Sequence, residues 1–313
     1  MPALQSQDED FVPRQVARLA GGHYLNCAQI LTETTKLDLM TAVVLVSISR
    51  FNVDQILQDP VEAALYAGPG QAPSAEARFA VSAYAVSREL SMPYETVRRH
   101  VGKLVKLGYC ARMDGGGLIL TRTLLDSPII AALIDRAVDI VLKYVQTLGT
   151  YGVSIGPKVA HPGDIRNHIA RLNVVHFLGL TRTLASNMNL ELICGLVMMA
   201  ILTANTKAFR ELEKLTSDLG SMKVVPQDAA REPISVYALA KSLSMPYETT
   251  RRHVGTLIER GFCVRAEGGG VLVPGSVQLE TSFVGLVRAN SRDTETFLTA
   301  LAAVGISSIP YEA

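Results

Sequence analysis

The sequence predicts a mainly α-helical protein made of two copies of one unit. Three observations predict it. The block SAYAVSRELSMPYETVRRHVGKLVKLGYCARMDGGGLILT, 82–121, returns as SVYALAKSLSMPYETTRRHVGTLIERGFCVRAEGGGVLVP, 235–274, with 22 identities over 40 ungapped positions. Apolar residues recur at helical spacing in the flanking segments. Turn residues, Ser-Met-Pro and a Gly-Gly-Gly run, fall at matching places in both blocks.

The offset of 153 extends beyond the blocks. His23-Tyr24-Leu25 falls on His176-Phe177-Leu178, Leu37-Asp38-Leu39 on Leu190-Glu191-Leu192, Asn52 on Asn205, Leu133 on Leu286 and Gly152-Val153 on Gly305-Ile306. The expected units are therefore residues 1–155 and 156–313, a duplication with pseudo-two-fold symmetry. In the first, helices fall within 15–58, the central block within 75–122 and a helix at 127–148. In the second, the corresponding ranges are 165–215, 228–275 and 281–304. The join, Gly149–Gly163, holds Gly152, Gly156, Pro157, Pro162 and Gly163, a loop composition.

In the first unit, Val16 to Thr32 reads as a helix. Asp38 to Leu57 reads as a second, too apolar all round to be one-sided, and so largely buried. Gly68 to Pro73 breaks the chain. After the central block, Ser127-Pro128 has the form of an N-cap and first helical residue. The helix that follows, Ile129–Leu148, is more apolar than its counterpart Ser282–Leu301, which carries Asn290-Ser291-Arg292-Asp293. Its surplus surface (Val138, Ile140, Val141) is expected to be covered by the other half or by a second chain in a homodimer.

Within the central block, Tyr84–Leu90 is a short helix and Ser91-Met92-Pro93 a tight turn. Pro93 fits the first turn of a second helix, where its missing N–H costs nothing. That helix turns Val97, Val101, Leu104 and Leu107 inward and ends at Gly108. Tyr109–Arg112 and Leu118–Leu120 then form a hairpin over a glycine tip. Helix, turn, helix and two-stranded wing make the winged helix-turn-helix order. The second helix turns Tyr94, Glu95, Arg98, Arg99, Gly102 and Lys103 outward. Arginines there can donate in bidentate fashion to guanine, Glu95 can accept from cytosine, Tyr94 and Thr96 can bond phosphates, and Lys103, further along, is expected to anchor on phosphate whatever the sequence. The net charge of the chain is only +1, yet 88–112 carries six basic and two acidic residues, and 241–265 five and two.

The run LSMPYETVRRHVGKLVKLGYCAR resembles the bacterial winged helix-turn-helix transcription regulators over about 40 residues of each copy. The order of flanking helices is similar to regulators of the MarR type, whose flanking helices form a dimer over a palindromic site. The resemblance implies two fused halves contacting double-stranded DNA. It places base reading on Tyr94, Glu95, Arg98 and Arg99, and on Tyr247, Glu248, Arg251 and Arg252. Thr249 corresponds to Thr96. Two inverted half-sites would then have centres about 34–36 Å apart. The wing tips, Asp114 and Glu267 followed by three glycines, lack the arginine many such wings insert into the minor groove. Arg112 and Arg265, at the wing base, are left to reach phosphate.

Other readings stand beside this one. The unit can be a protein-interaction module, or a sensor with an apolar pocket for a small-molecule effector between the helical part and the winged helix. Tandem winged helices also occur in plasmid initiators, which are expected to be more basic and less alike between halves. An enzyme is not expected, because no acid–base–nucleophile grouping recurs and no phosphate-loop, HExxH or GxSxG motif is present. No metal or cofactor is expected: His23 and Cys27 have helical ligand spacing, but the second copy pairs His176 with Leu180. Cys110 and Cys263 read as small core residues. No stretch reaches membrane-spanning length without charge, and MPALQSQDEDF is polar and acidic, so a cytoplasmic protein is expected.

Overall fold

The computed structural model describes residues 11–153, 163–207, 225 and 227–306. The acidic 1–10, the Gly156, Pro157 and Pro162 part of the join, and 208–215 of the expected 165–215 helices lie outside the described residues. The fold is mainly helical with two small antiparallel sheets.

The first half runs α1 (Phe11–Thr35), α2 (Leu39–Gln58), α3 (Pro60–Leu65), α4 (Ala83–Glu89), α5 (Tyr94–Lys106), β1 (Cys110–Arg112), β2 (Leu118–Leu120), α6 (Arg122–Leu125) and α7 (Pro128–Thr150). The second runs α8 (Arg166–Met188), α9 (Leu192–Asn205), a 3-10 turn Asp228–Ala230, α10 (Val236–Ser242), α11 (Tyr247–Glu259), β3 (Val264–Arg265), β4 (Val271–Leu272), a 3-10 turn Ser276–Leu279 and α12 (Thr281–Ala303). The repeat is kept down to backbone dihedrals. Lys36 and Asn189 enter the left-handed region at φ 57° and 49°, and Ser91 and Ser244 at φ 51° and 50°. Both pairs are 153 apart and close the same two turns.

Local chemistry starts and stops these elements. Asp38 caps α2 by accepting from Thr41 N–H at 3.0 Å, and Ser82 and Ser235 cap α4 and α10 in the same way. Ser127 holds the N-cap position of α7, but its hydroxyl makes no capping bond. Leu107, expected inward, is 48% exposed: it is the C-cap of α5, past the last turn that faces the core. Short α3 was not read from the sequence. Asp59 starts it by accepting from the Val61 and Glu62 amides.

The two halves share one hydrophobic core. The long helices α1, α7, α8 and α12 form its centre. Helix α1 packs on α7 and α8 on α12 within the halves, while α1 meets α12 and α7 meets α8 across them. This covers much of the apolar face of α7: Val141 is fully buried and Val138 is 8% exposed, while Ile140 is half-buried and Leu142 stays exposed. The polar insertion in α12 has a use here, since Asn290 donates to the Tyr24 hydroxyl at 2.9 Å. At the centre His23 stacks on Tyr144 and its counterpart His176 on Phe297, both at 4.4 Å, with the two imidazoles 5.9 Å apart. His23 Nε2–H donates to Asn173 Oδ1 at 2.7 Å. Cys27 joins that cluster at 3.7 Å from Asn173 Oδ1, and burial pushes its thiol up to about 12. Helix α2 is long and apolar enough to cross a bilayer by composition, and 67% of its stretch Leu39–Ile56 is buried inside the protein.

Each hairpin is tied to this core by one asparagine. Asn52 Nδ2 donates to Phe79 O at 2.6 Å and Leu118 O at 3.0 Å, and its Oδ1 accepts from Leu120 N–H at 2.9 Å. Asn205 repeats the pattern with Glu232 O, Val271 O and Val273 N–H. The strand pairing is Cys110 with Leu120 and Arg112 with Leu118, and Val81 bridges to Leu118 on the other edge.

Candidate nucleic-acid interface

Helix α5 buries Val97, His100, Val101 and Leu104, and α11 buries Thr250, His253, Val254 and Leu257. These rows dock on α2 and α9 respectively. The 3.6-residue period then forces the intervening positions outward. Tyr94, Glu95, Arg98, Arg99 and Lys103 are exposed, as are Tyr247, Glu248, Arg251 and Arg252, while Thr96 and Thr249 are half-buried. Arg112 and Arg265 are exposed on the first strand of each hairpin.

The charged groups are partly engaged. Arg98 Nε lies 2.8 Å from Glu95 Oε2, and Arg251 Nε 2.8 Å from Glu248 Oε2. Both pairs are well exposed, so each costs little to open. Lys103 differs. Its Nζ lies 2.6 Å from Asp38 Oδ2. Burial pushes Asp38 up, but hydrogen bonds from Lys103 and Thr41 outweigh it and hold the carboxyl at about 2. Thr41 Oγ1 also lies 2.7 Å from His100 Nδ1. Lys103 is thus a strut between α5 and the cap of α2. In the second half Thr256 replaces the lysine, and Glu191 Oε1 meets His253 Nδ1 at 3.3 Å. Burial, then Arg252, lowers His253 to about 4, so that imidazole is neutral at pH 7.

The first turns of α5 and α11 border a single cleft of about 590 Å³. Thr96 and Arg99 line it from one side, Thr249 and Arg252 from the other, with His100 and His253 toward its floor. Both outer helices therefore border the same opening. The cause lies in the core. Helix α2 packs against α8 and α9 against α1, so each carries its outer helix toward the other half.

Two residues escaped the sequence reading. Tyr84 and Tyr237, in the first turns of α4 and α10, are 62% and 71% exposed, among the most exposed large hydrophobic side chains described. Both copies keep tyrosine there, which was the available signal; a hydroxyl so placed can bond phosphate. Cys110 and Cys263 are buried, and burial raises both thiols to about 12. Among the described residues no three His, Cys, Asp or Glu side chains group to hold a metal.

Compared with protein-family models, with curated proteins and with solved structures, the chain matches none.

Proposed function

We propose that this chain is a sequence-specific DNA-binding transcription regulator, with two winged helix-turn-helix units related by a pseudo-two-fold. One observation carries the reading: two helices present the same exposed Tyr-Glu-x-x-Arg-Arg set, and Arg99 and Arg252 of the two sets line one cleft. Arg98 and Arg251 are the base readers once they release Glu95 and Glu248. Arg99 and Arg252, facing the cleft, hold phosphates, with Arg112 and Arg265 on the wings. The site read consists of two similar half-sites, one for each outer helix.

The test is binding of fluorescent duplexes selected from a random library, measured against salt. Four phosphate-holding arginines correspond to a slope of log K on log salt of about −3 to −4. A protein-interaction module predicts no salt-dependent DNA affinity. A footprint on the selected duplex decides the spacing, with inverted half-sites centred about 10 base pairs apart as the expected result.

A further inference from the structure

A cavity of about 180 Å³ lies in the first half, between α1, α2, the start of α7 and the beginning of α8. Residues 70–73 close one side. Its walls are largely apolar, with Leu45, Val46, Ile130, Leu133, Ile134 and Phe177 among them, and among the described residues no acidic side chain lines it. Three arginines do. Arg50 is held by Glu89 at 2.8 Å, and Arg78 donates to the carbonyls of Ser74 and Leu120. Arg171 has no such partner among the described residues. Its Nη1 is buried without a hydrogen bond, and burial lowers its guanidinium to about 10.

A guanidinium left unpaired in an apolar wall is costly. The group that best relieves it is planar, anionic and two-oxygened, because the guanidinium fork matches a carboxylate in bidentate fashion. We propose that this cavity binds an apolar monocarboxylate, its body against Leu45, Ile130 and Ile134 and its carboxylate on Arg171. The site is made by both halves, since α8 brings the arginine to a pocket of the first half.

The counterpart cavity in the second half is reshaped. There Met198 stands for Leu45, Leu202 for Ser49, Phe283 for Ile130 and Asn290 for Ala137. It measures about 100 Å³, Arg14 donates across it to Gln278 at 2.9 Å, and Arg18, which corresponds to Arg171, is not free. The stoichiometry is therefore one ligand per chain.

The inference goes beyond the DNA reading and is tested without DNA. The full chain is titrated calorimetrically with octanoate and with 4-ethylbenzoate, and with the matching neutral amides. The expected result is saturable binding of at least one acid at one site per chain, with its amide weaker by about tenfold or more. Whichever acid binds tells an alkyl from an aryl ligand. Arg171→Gln removes the preference for acid over amide, and Arg171→Lys keeps part of it. Ala137→Phe, which fills the cavity and leaves the arginine in place, abolishes binding. Absence of saturable binding by both acids at millimolar concentration overturns the proposal. So does equal binding of acid and amide by the unaltered protein, a comparison that needs no variant to fold.

Discussion

Asn52 is one residue on which the placement of a whole hairpin depends. It is 1% exposed, and its side chain makes three hydrogen bonds to the backbone of the hairpin region. Replacing it by alanine removes all three. At about 1 kcal/mol net for each bond, the loss is roughly 3 kcal/mol. The Leu120 amide is then buried without an acceptor, which adds a penalty of about 1–3 kcal/mol unless water enters. The expected destabilisation of Asn52→Ala is therefore about 4–6 kcal/mol, falling toward about 3 kcal/mol if water reaches the Leu120 amide. Asn205→Ala should cost about the same, because its three partners are the same backbone positions one repeat later. Asn52→Asp keeps an acceptor for Leu120 but sets a carboxylate against two carbonyl oxygens, so it should be no better. Urea unfolding followed by circular dichroism gives the free energy, and amide exchange at Leu120 reports the hairpin locally. A loss under about 1 kcal/mol, with exchange at Leu120 unchanged, would show that the asparagine does not hold the hairpin.

Three further outcomes follow from the same structure. Arg98→Ala and Arg251→Ala should each weaken DNA binding by about 1–3 kcal/mol and relax preference at one base, and normal binding by the double variant would refute the base-reading assignment. Lys103→Ala should leave the salt slope of DNA binding unchanged, because Nζ is committed to Asp38. It should instead move the acid loss of stability upward in pH. Asp38 at about 2 stabilises the fold above its unfolded value of 3.8 and loses that contribution as pH falls toward 2, and without the lysine the loss begins earlier. Finally, burial lowers His23 to about 4 and His176 well below its ordinary value, so the unfolded chain binds more protons. Stability should be full above pH 6.5 and fall as pH drops toward 4. His176→Phe, at a ring whose two nitrogens have no partner, should flatten that decline, and an unchanged pH curve would count against the buried neutral imidazole.

The duplication, the helix order and the outward face of each outer helix could be read from residues alone. Helical periodicity fixes a face wherever a buried row is clear, as in Val97, Val101 and Leu104, and glycine marks the turns that need left-handed backbone, as at Gly108 and Gly261. Short α3 was missed because six residues give too little periodicity to read. Lys103 looked like a phosphate anchor because sequence spacing shows which side chains face out but not which distant carboxylate they meet, and Asp38 lies 65 positions away. The shared cleft and the unpaired Arg171 are likewise tertiary facts. Each arises where one half lays a helix against the other, through contacts between residues far apart in the chain that no local pattern encodes.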